Sequence, residues 1–272
     1  MRTRVIPKSG QAIPVIGMGT WSTFDVGPSA PERAPLQEVL RRFFAGGGRV
    51  IDSSPMYGRA EGVAGDLARD GQHDAFFATK VWVRGKREGE RQMERSLRLF
   101  HRERLELMQV HNLLDAQVHL PVMRAWREQG RFTYLGVTDY QLAAFPELER
   151  LMKTEALDFV QLPYSLEMRA AEDRLLGVAR DTGTAVLVMR PFEEGALLSR
   201  LARGPLPAWA KERGFTGWAH LLLAFILARP EVTCVLPATA NPAHLDENLR
   251  AGDGPELDAE GVKLLLSART GA

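Results

Sequence analysis

Four side chains of this sequence could together deliver a proton. Asp52 closes the run "RVID", Tyr57 follows in "SSPMYG", Lys80 closes "AFFATK" and His111 closes "LMQVH". A phenol, an ammonium, a carboxylate and an imidazole suit protonation of a carbonyl oxygen. Free tyrosine has a pKa near ~10, too high for efficient donation and return near neutrality. An adjacent ammonium favours the phenolate and is expected to lower that value. In this scheme Asp52 neutralises and positions Lys80, while His111 hydrogen-bonds the substrate oxygen and orients it. None of the four can supply a hydride, so a reduction requires a nicotinamide. Taken singly, each has a plainer reading: Asp52 as a turn cap, Tyr57 as a packing residue, His111 as a satisfied core histidine. Lys80 resists such a reading, because an ammonium ending a buried strand needs a partner.

The elements that must position these groups are legible as eight short runs: "VIGMGTW", "RVIDSS", "AFFATKV", "LELMQVHN", "YLGVTDY", "DFVQLPY", "AVLVMRP" and "TCVLPAT". They are apolar nearly throughout, as strands covered on both faces should be. Between them lie segments of helical period, such as 35–47 with Leu36, Val39, Leu40, Phe43 and Phe44 on one stripe, and 90–100 with Met93, Leu97 and Phe100. Glycines at 46–48, 71, 130 and 183 read as left-handed helix caps. The triple glycine follows a helix and precedes a strand, the wrong order for a phosphate loop.

Strand–helix alternation repeated eight times predicts an α/β fold, a (β/α)8 TIM barrel forming a single domain over residues 1–272. An open dinucleotide-binding sheet would need a third glycine that "GMGTW" lacks. The leading segment "RVIPKSGQAIPV" reads as an N-terminal β-hairpin turning at Ser9-Gly10, placed to plug the barrel. In such a barrel chemistry gathers at the C-terminal strand ends, so Asp52, Tyr57, Lys80 and His111 should converge on one mouth.

Composition narrows the function class. Thirty-five Lys and Arg against 34 Asp and Glu leave no basic excess for nucleic acid. The run "RGKREGER" at 84–91 is interrupted by acids and reads as a solvated loop and helix start. One cysteine, Cys234, excludes an internal disulfide and points to a reducing compartment. The N-terminus has no apolar stretch of signal-peptide length, and "WAHLLLAFILA" is too short to span a bilayer. The expectation is a cytoplasmic monomer that binds neither nucleic acid nor membrane.

The chain resembles the aldo-keto reductases over nearly its whole length. "GMGTW", "IDSSPMYGRAE", "ATKVW", "LMQVHN", "GVTDY", "QLPYS" and "LPATANPAHLDENL" occur in that family's order and spacing. The resemblance implies an NADPH-dependent reduction of an aldehyde or ketone, with Tyr57 as general acid, Lys80 and Asp52 as its tuning pair and His111 as orienting group. It places Thr20 near the nicotinamide ribose, and Thr138, Asp139 and Gln161 near the carboxamide. Asp139 stands where the family usually has asparagine and, when ionised, cannot donate. Met189 replaces the usual stacking aromatic, and Arg190 could face the pyrophosphate. Glu247 and Asn248 fall at the adenine. At the 2′-phosphate site the usual lysine and arginine are Ala238 and His244. Thr239, His244 and the helix start at "NPAHL" remain to hold a phosphate, which keeps NADPH first and NADH as the alternative.

Trp21, Met56, Trp82 and Asn112 follow strand ends beside the four and are expected to line an aromatic, apolar substrate pocket. A short tail after "PELDAEGVKLLLSA" implies an open mouth and broad choice of carbonyl substrate. Two other classes share some of these residues. Lys80 could form a Schiff base as in barrel aldolases, which leaves "LPATANPAHLDENL" unexplained. A nucleotide-binding redox sensor with little turnover is the second. No close His/Asp pair of ligand spacing supports a metal site.

Overall fold

The computed structural model describes residues 1–269. Strands β1 (Thr3–Val5) and β2 (Ala12–Pro14) pair antiparallel, with Arg4 opposite Ile13. The turn between them closes where Ile6 N–H donates to the Gln11 carbonyl and Gly10 takes φ +73. The hairpin expected at Ser9-Gly10 is therefore present.

The remaining strands are β3 (Met18–Gly19), β4 (Val50–Asp52), β5 (Phe76–Val81), β6 (Leu105–His111), β7 (Phe132–Thr138), β8 (Phe159–Pro163), β9 (Ala185–Met189) and β10 (Val232–Val235). They form one parallel eight-stranded sheet in chain order. Bridges from Ile16 to Val235 and from Gly19 to Ala238 join its two edges into a nearly closed barrel. Each of the eight apolar runs contributes one of these strands, because a parallel strand buried on both faces has no reason to alternate.

Helices α1 (Ala30–Ala45), α2 (Ala60–Asp70), α3 (Lys86–Leu99), α4 (Ala116–Glu128), α5 (Phe145–Thr154) and α6 (Leu175–Thr182) fill the successive crossovers. Helices α7 (Ala196–Leu201), α8 (Ala208–Glu212) and α9 (Trp218–Leu227) lie between β9 and β10, and α10 (Pro242–Asp253) and α11 (Ala259–Arg269) follow. The α1 stripe Leu36, Val39, Leu40, Phe43 and Phe44 is buried as its period requires.

Three of the capping glycine sites are left-handed as expected: Gly47 at φ +84, within the run 46–48, Gly130 at φ +77 and Gly183 at φ +63. Gly71 instead stays right-handed at φ −82, and the reversal falls one residue later, on Gln72 at φ +52. There the helical turn runs one residue further before the chain leaves.

Two apolar clusters result. The larger packs strands against helices; the smaller fills the barrel itself with Val50, Phe76, Ala78, Leu107, Tyr134, Phe159 and Leu187. Ile6 and Ile13 of the hairpin belong to that inner cluster and close it from below.

Candidate active site

Side chains on a strand alternate between its two sides, so the inward series that is apolar low in the barrel continues upward with different chemistry. Above Val50 comes Asp52; above Ala78, Lys80; above Leu107, Gln109 and then His111; above Phe159, Gln161. Parallel pairing sets Asp52 opposite Ala78, Lys80 opposite Gln109 and His111 opposite Thr138. The register thus carries residues far apart in sequence to one level.

At that level Lys80 Nζ donates to Asp52 Oδ2 at 2.7 Å and to the Ser53 carbonyl at 2.7 Å. Lys80 is 1 % exposed and Asp52 4 %, so neither charge would be tolerated alone. Gln161 Nε2 donates to Asp52 Oδ2 at 3.1 Å, and Gln109 Nε2 lies 3.3 Å from Oδ1. The carboxylate is therefore held by one ammonium and two amides. Gly136 leaves room for this network, since a Cβ there would sit 3.2 Å from Gln109 Cγ and 2.8 Å from the Phe159 carbonyl.

Tyr57 is half-buried in the turn after β4, its N–H donating to the Ser54 carbonyl. Its ring centroid lies 5.3 Å from Lys80 Nζ and 6.0 Å, edge to face, from that of His111. The Trp82 ring centroid lies 6.1 Å from that of His111, tilted by 56°. The structure thus brings the phenol, ammonium, carboxylate and imidazole together.

Their electrostatics depart from expectation in one respect. Burial raises the Tyr57 pKa above its ordinary value, and Asp52 adds to the rise. The Lys80 ammonium lowers it, as expected, without winning. The phenol is accordingly protonated across neutral pH. For Lys80, burial opposes the charged form, but Asp52, Tyr57 and Glu61 outweigh it and the pKa rises. His111 is pushed down to about 3, first by burial and then by the Lys80 charge. It is a neutral imidazole.

The other expected residues fall around this core. Thr20 is buried, its hydroxyl 3.0 Å from the Asp52 carbonyl and 2.9 Å from Ser53 Oγ. Thr138 is buried at the end of β7, and Asp139 Oδ1 accepts the Gln141 N–H at 2.9 Å. Burial raises the Asp139 pKa against those backbone donors. Gln161 is engaged within the network by Asp52 and Gln109. Met189 is half-buried at the end of β9. Arg190, at φ +56, pairs with Glu194 and stands 4.9 Å over the Tyr140 ring. Thr239 Oγ1 accepts the Asn241 N–H, and Asn241 caps α10 through Ala243 N–H at 2.9 Å. His244 is exposed on the first turn of α10, and Asn248 is buried on its inner side. Glu247 also caps α9, where its Oε1 accepts the Ala219 N–H at 3.1 Å. Trp21, Met56 and Trp82 are exposed to 46, 40 and 39 %, unusual for large apolar groups, and Asn112 is half-buried with φ +49.

Sequence reading missed Gln109, Ser53, Ser54 and the Arg190 partners Tyr140 and Glu194. Gln109 was recognisable in principle, as a polar residue two before His111 on the same strand face. Ser54 carries no such signal, since a serine beside a proline is ordinary turn chemistry.

A family model described as "Aldo/keto reductase family" matches residues 15–269. Aldo-keto reductase YhdN of Bacillus subtilis is 24% identical over 203 residues, covering 68% of this chain and 60% of that relative. A crystal structure of an aldo/keto reductase from Klebsiella pneumoniae in complex with NADP and acetate superposes with a TM-score of 0.84 at 26% identity, covering 98% of this chain and 95% of that one. A structure of an aldo-keto reductase from the same organism in complex with NADPH gives the same values.

Proposed function

The chain belongs to the aldo/keto reductase family, and from that premise we propose that it reduces an aldehyde or ketone to the alcohol, with hydride from a nicotinamide nucleotide and the proton from Tyr57. One observation carries this reading: a protonated phenol stands over a buried ammonium–carboxylate pair with a neutral imidazole beside it. The phenol holds the proton to be given. Lys80, kept charged by Asp52, stabilises the phenolate left behind. His111 directs the carbonyl oxygen toward Tyr57, and Trp21, Met56, Trp82 and Asn112 offer the rest of the substrate an open, largely apolar wall. Gln109 and Gln161 hold the Asp52 carboxylate in place through their side-chain amides, so the groups need not reorganise during proton transfer.

The reduced nicotinamide supplies the hydride when bound. The polar groups around the mouth fit a dinucleotide: Thr20, Thr138, Asp139 and Gln161, with Met189 as an apolar face, would hold the nicotinamide end. Arg190 would offer a cation to the pyrophosphate, and Glu247 and Asn248 of α10 would hold the adenine. Thr239, the His244 side chain and the His244 N–H at the start of α10 suit a 2′-phosphate. The Klebsiella structures carry NADP or NADPH, which supports NADPH as the preferred nucleotide here and NADH as the weaker one. The exposed Ala238 and the single His244 make that preference a narrow one.

A Schiff-base role for Lys80 is not favoured, because such a lysine needs a depressed pKa and a free pair. Lys80 has the reverse: a raised pKa and two hydrogen-bond acceptors. A sensor without turnover leaves the complete proton-delivery group unexplained.

Tyr57→Phe should leave nucleotide binding within a few-fold of the parent and cut reduction of a generic aldehyde by about 100- to 10,000-fold. Steady-state rates alongside fluorescence titration test this; turnover near the parent rate would remove Tyr57 from its role. Ala238→Lys should tighten NADPH relative to NADH by about tenfold, as one charge-assisted contact is worth. An unchanged ratio would show that position 238 lies away from the phosphate.

A further inference from the structure

A neutral imidazole has one proton and two nitrogens to hold it. The choice decides whether the ring can donate to a carbonyl oxygen or can only accept. In His111, Nδ1 lies 2.9 Å from Ser54 Oγ. Nε2, across the ring, has no hydrogen-bond partner among the described residues.

Ser54 is fully buried. Its hydroxyl oxygen takes the Met56 N–H at 3.4 Å, and its other neighbour is Nδ1. If Nδ1 held the imidazole proton, that oxygen would accept twice and its own proton would point into sealed protein without an acceptor. A buried donor left in that state is strongly disfavoured. In the opposite arrangement the serine O–H donates to Nδ1, the Met56 N–H is accepted, and every group at the contact is satisfied. The imidazole proton then sits on Nε2.

The backbone makes Ser54 able to enforce this. Pro55 follows it and restricts its chain to extended conformations, which limits where the hydroxyl can point. Its carbonyl accepts the Tyr57 N–H at 3.0 Å. Its neighbour Ser53 turns the other way, to Thr20. One buried serine therefore holds the imidazole through its side chain and the tyrosine through its main chain.

We propose that Ser54 is a positioning residue that fixes His111 with its proton on Nε2, making the imidazole a hydrogen-bond donor to the substrate oxygen. This rests on the carbonyl-reductase reading and deepens it. The depressed basicity of His111, from burial and from Lys80, keeps the ring neutral so that the choice of nitrogen matters.

The test is a long-range proton–nitrogen correlation spectrum of histidine-labelled full-length protein, with His111 assigned by its loss in His111→Asn. The parent should show Nε2 protonated and Nδ1 bare. Ser54→Ala keeps the backbone bond to Tyr57 and removes only the hydroxyl. Its two nitrogen shifts should converge as the proton divides between them, while kcat/KM for a generic aldehyde falls roughly three- to tenfold and nucleotide affinity stays unchanged. An active parent with the proton on Nδ1 would overturn the inference without needing any variant to fold. So would parental nitrogen shifts retained in Ser54→Ala. A parent that turns over no carbonyl yet shows the expected shifts would instead fail the reductase reading, and with it the use of the donor.

Discussion

The lower and upper halves of the barrel interior are lined by the same strands, two residues apart, yet they hold together in different ways. Below, Val50, Ala78, Leu107 and Phe159 pack against Ile6 and Ile13 of the hairpin. Above, Asp52, Lys80, Gln109 and Gln161 form a hydrogen-bonded network in which each charge is stable only because of its neighbours. The lower half is tolerant: apolar contacts are numerous, weak and non-directional. The upper half is conditional, because these side chains are buried and removing one partner leaves another without its hydrogen bond. A barrel closed and plugged from below can sustain such a layer above, where the charges serve the phenol.

The sharpest way to break the contrast is to remove the ammonium. Lys80→Met leaves Asp52 with two amide donors and no cation. It should cost about 3–5 kcal/mol of stability and lower carbonyl reduction by at least about 100-fold. Adding Asp52→Leu would turn the upper half into a copy of the lower. The double variant should recover most of the stability, since apolar replacement of a buried ion pair is often neutral or better, but none of the activity. Urea unfolding and steady-state rates on the three proteins separate the two effects. Recovered activity in the double variant would mean that the pair serves structure alone.

Much of this was legible from residue order. The eight strands announced themselves as apolar runs, and their shared direction put the last residue of each at one end. That is why Asp52, Lys80 and His111 could be grouped before any contact was known. What the order of residues could not supply was stagger between strands. Gln109 meets Asp52 across 57 positions of chain and Gln161 meets it across 109. Neither contact has a local pattern, because each depends on how far one strand slides along the next. The same holds for Glu247, whose capping of α9 depends on two helices meeting side by side. The balance on Tyr57 was also out of reach: the sign of the Lys80 effect follows from charge, but its defeat by burial follows only from packing.

A substitution below should give the complementary result. Phe159 meets Phe76 and Tyr134 edge to face in the lower layer, at centroid distances of 6.2 and 5.6 Å. Phe159→Ala opens a cavity there and should cost about 3–5 kcal/mol. The folded fraction should keep its kcat, because Gln161 is held from above by Asp52 rather than from below. Denaturant midpoints measured beside the rate at saturating substrate test this. A kcat that falls in step with stability would show the two halves to be one mechanical unit.

The smallest effect is expected where the plug meets the barrel. The Tyr134 hydroxyl donates to Gln11 Oε1 at 2.6 Å and lies 2.9 Å from Ser9 Oγ, tying the hairpin turn to the lower layer. Tyr134→Phe keeps the ring in the apolar cluster and removes only those bonds. The net loss should be about 1 kcal/mol, since Ser9 and Gln11 lie at the surface and water can replace the phenol. Because the hairpin's own hydrogen bonds at Ile6 and Gly10 remain, the change should appear as faster amide exchange in residues 3–14, with exchange at Lys80 and His111 unaltered. Accelerated exchange reaching β5 and β6 would mean that the plug, and not the closed sheet, is what holds the upper network in register.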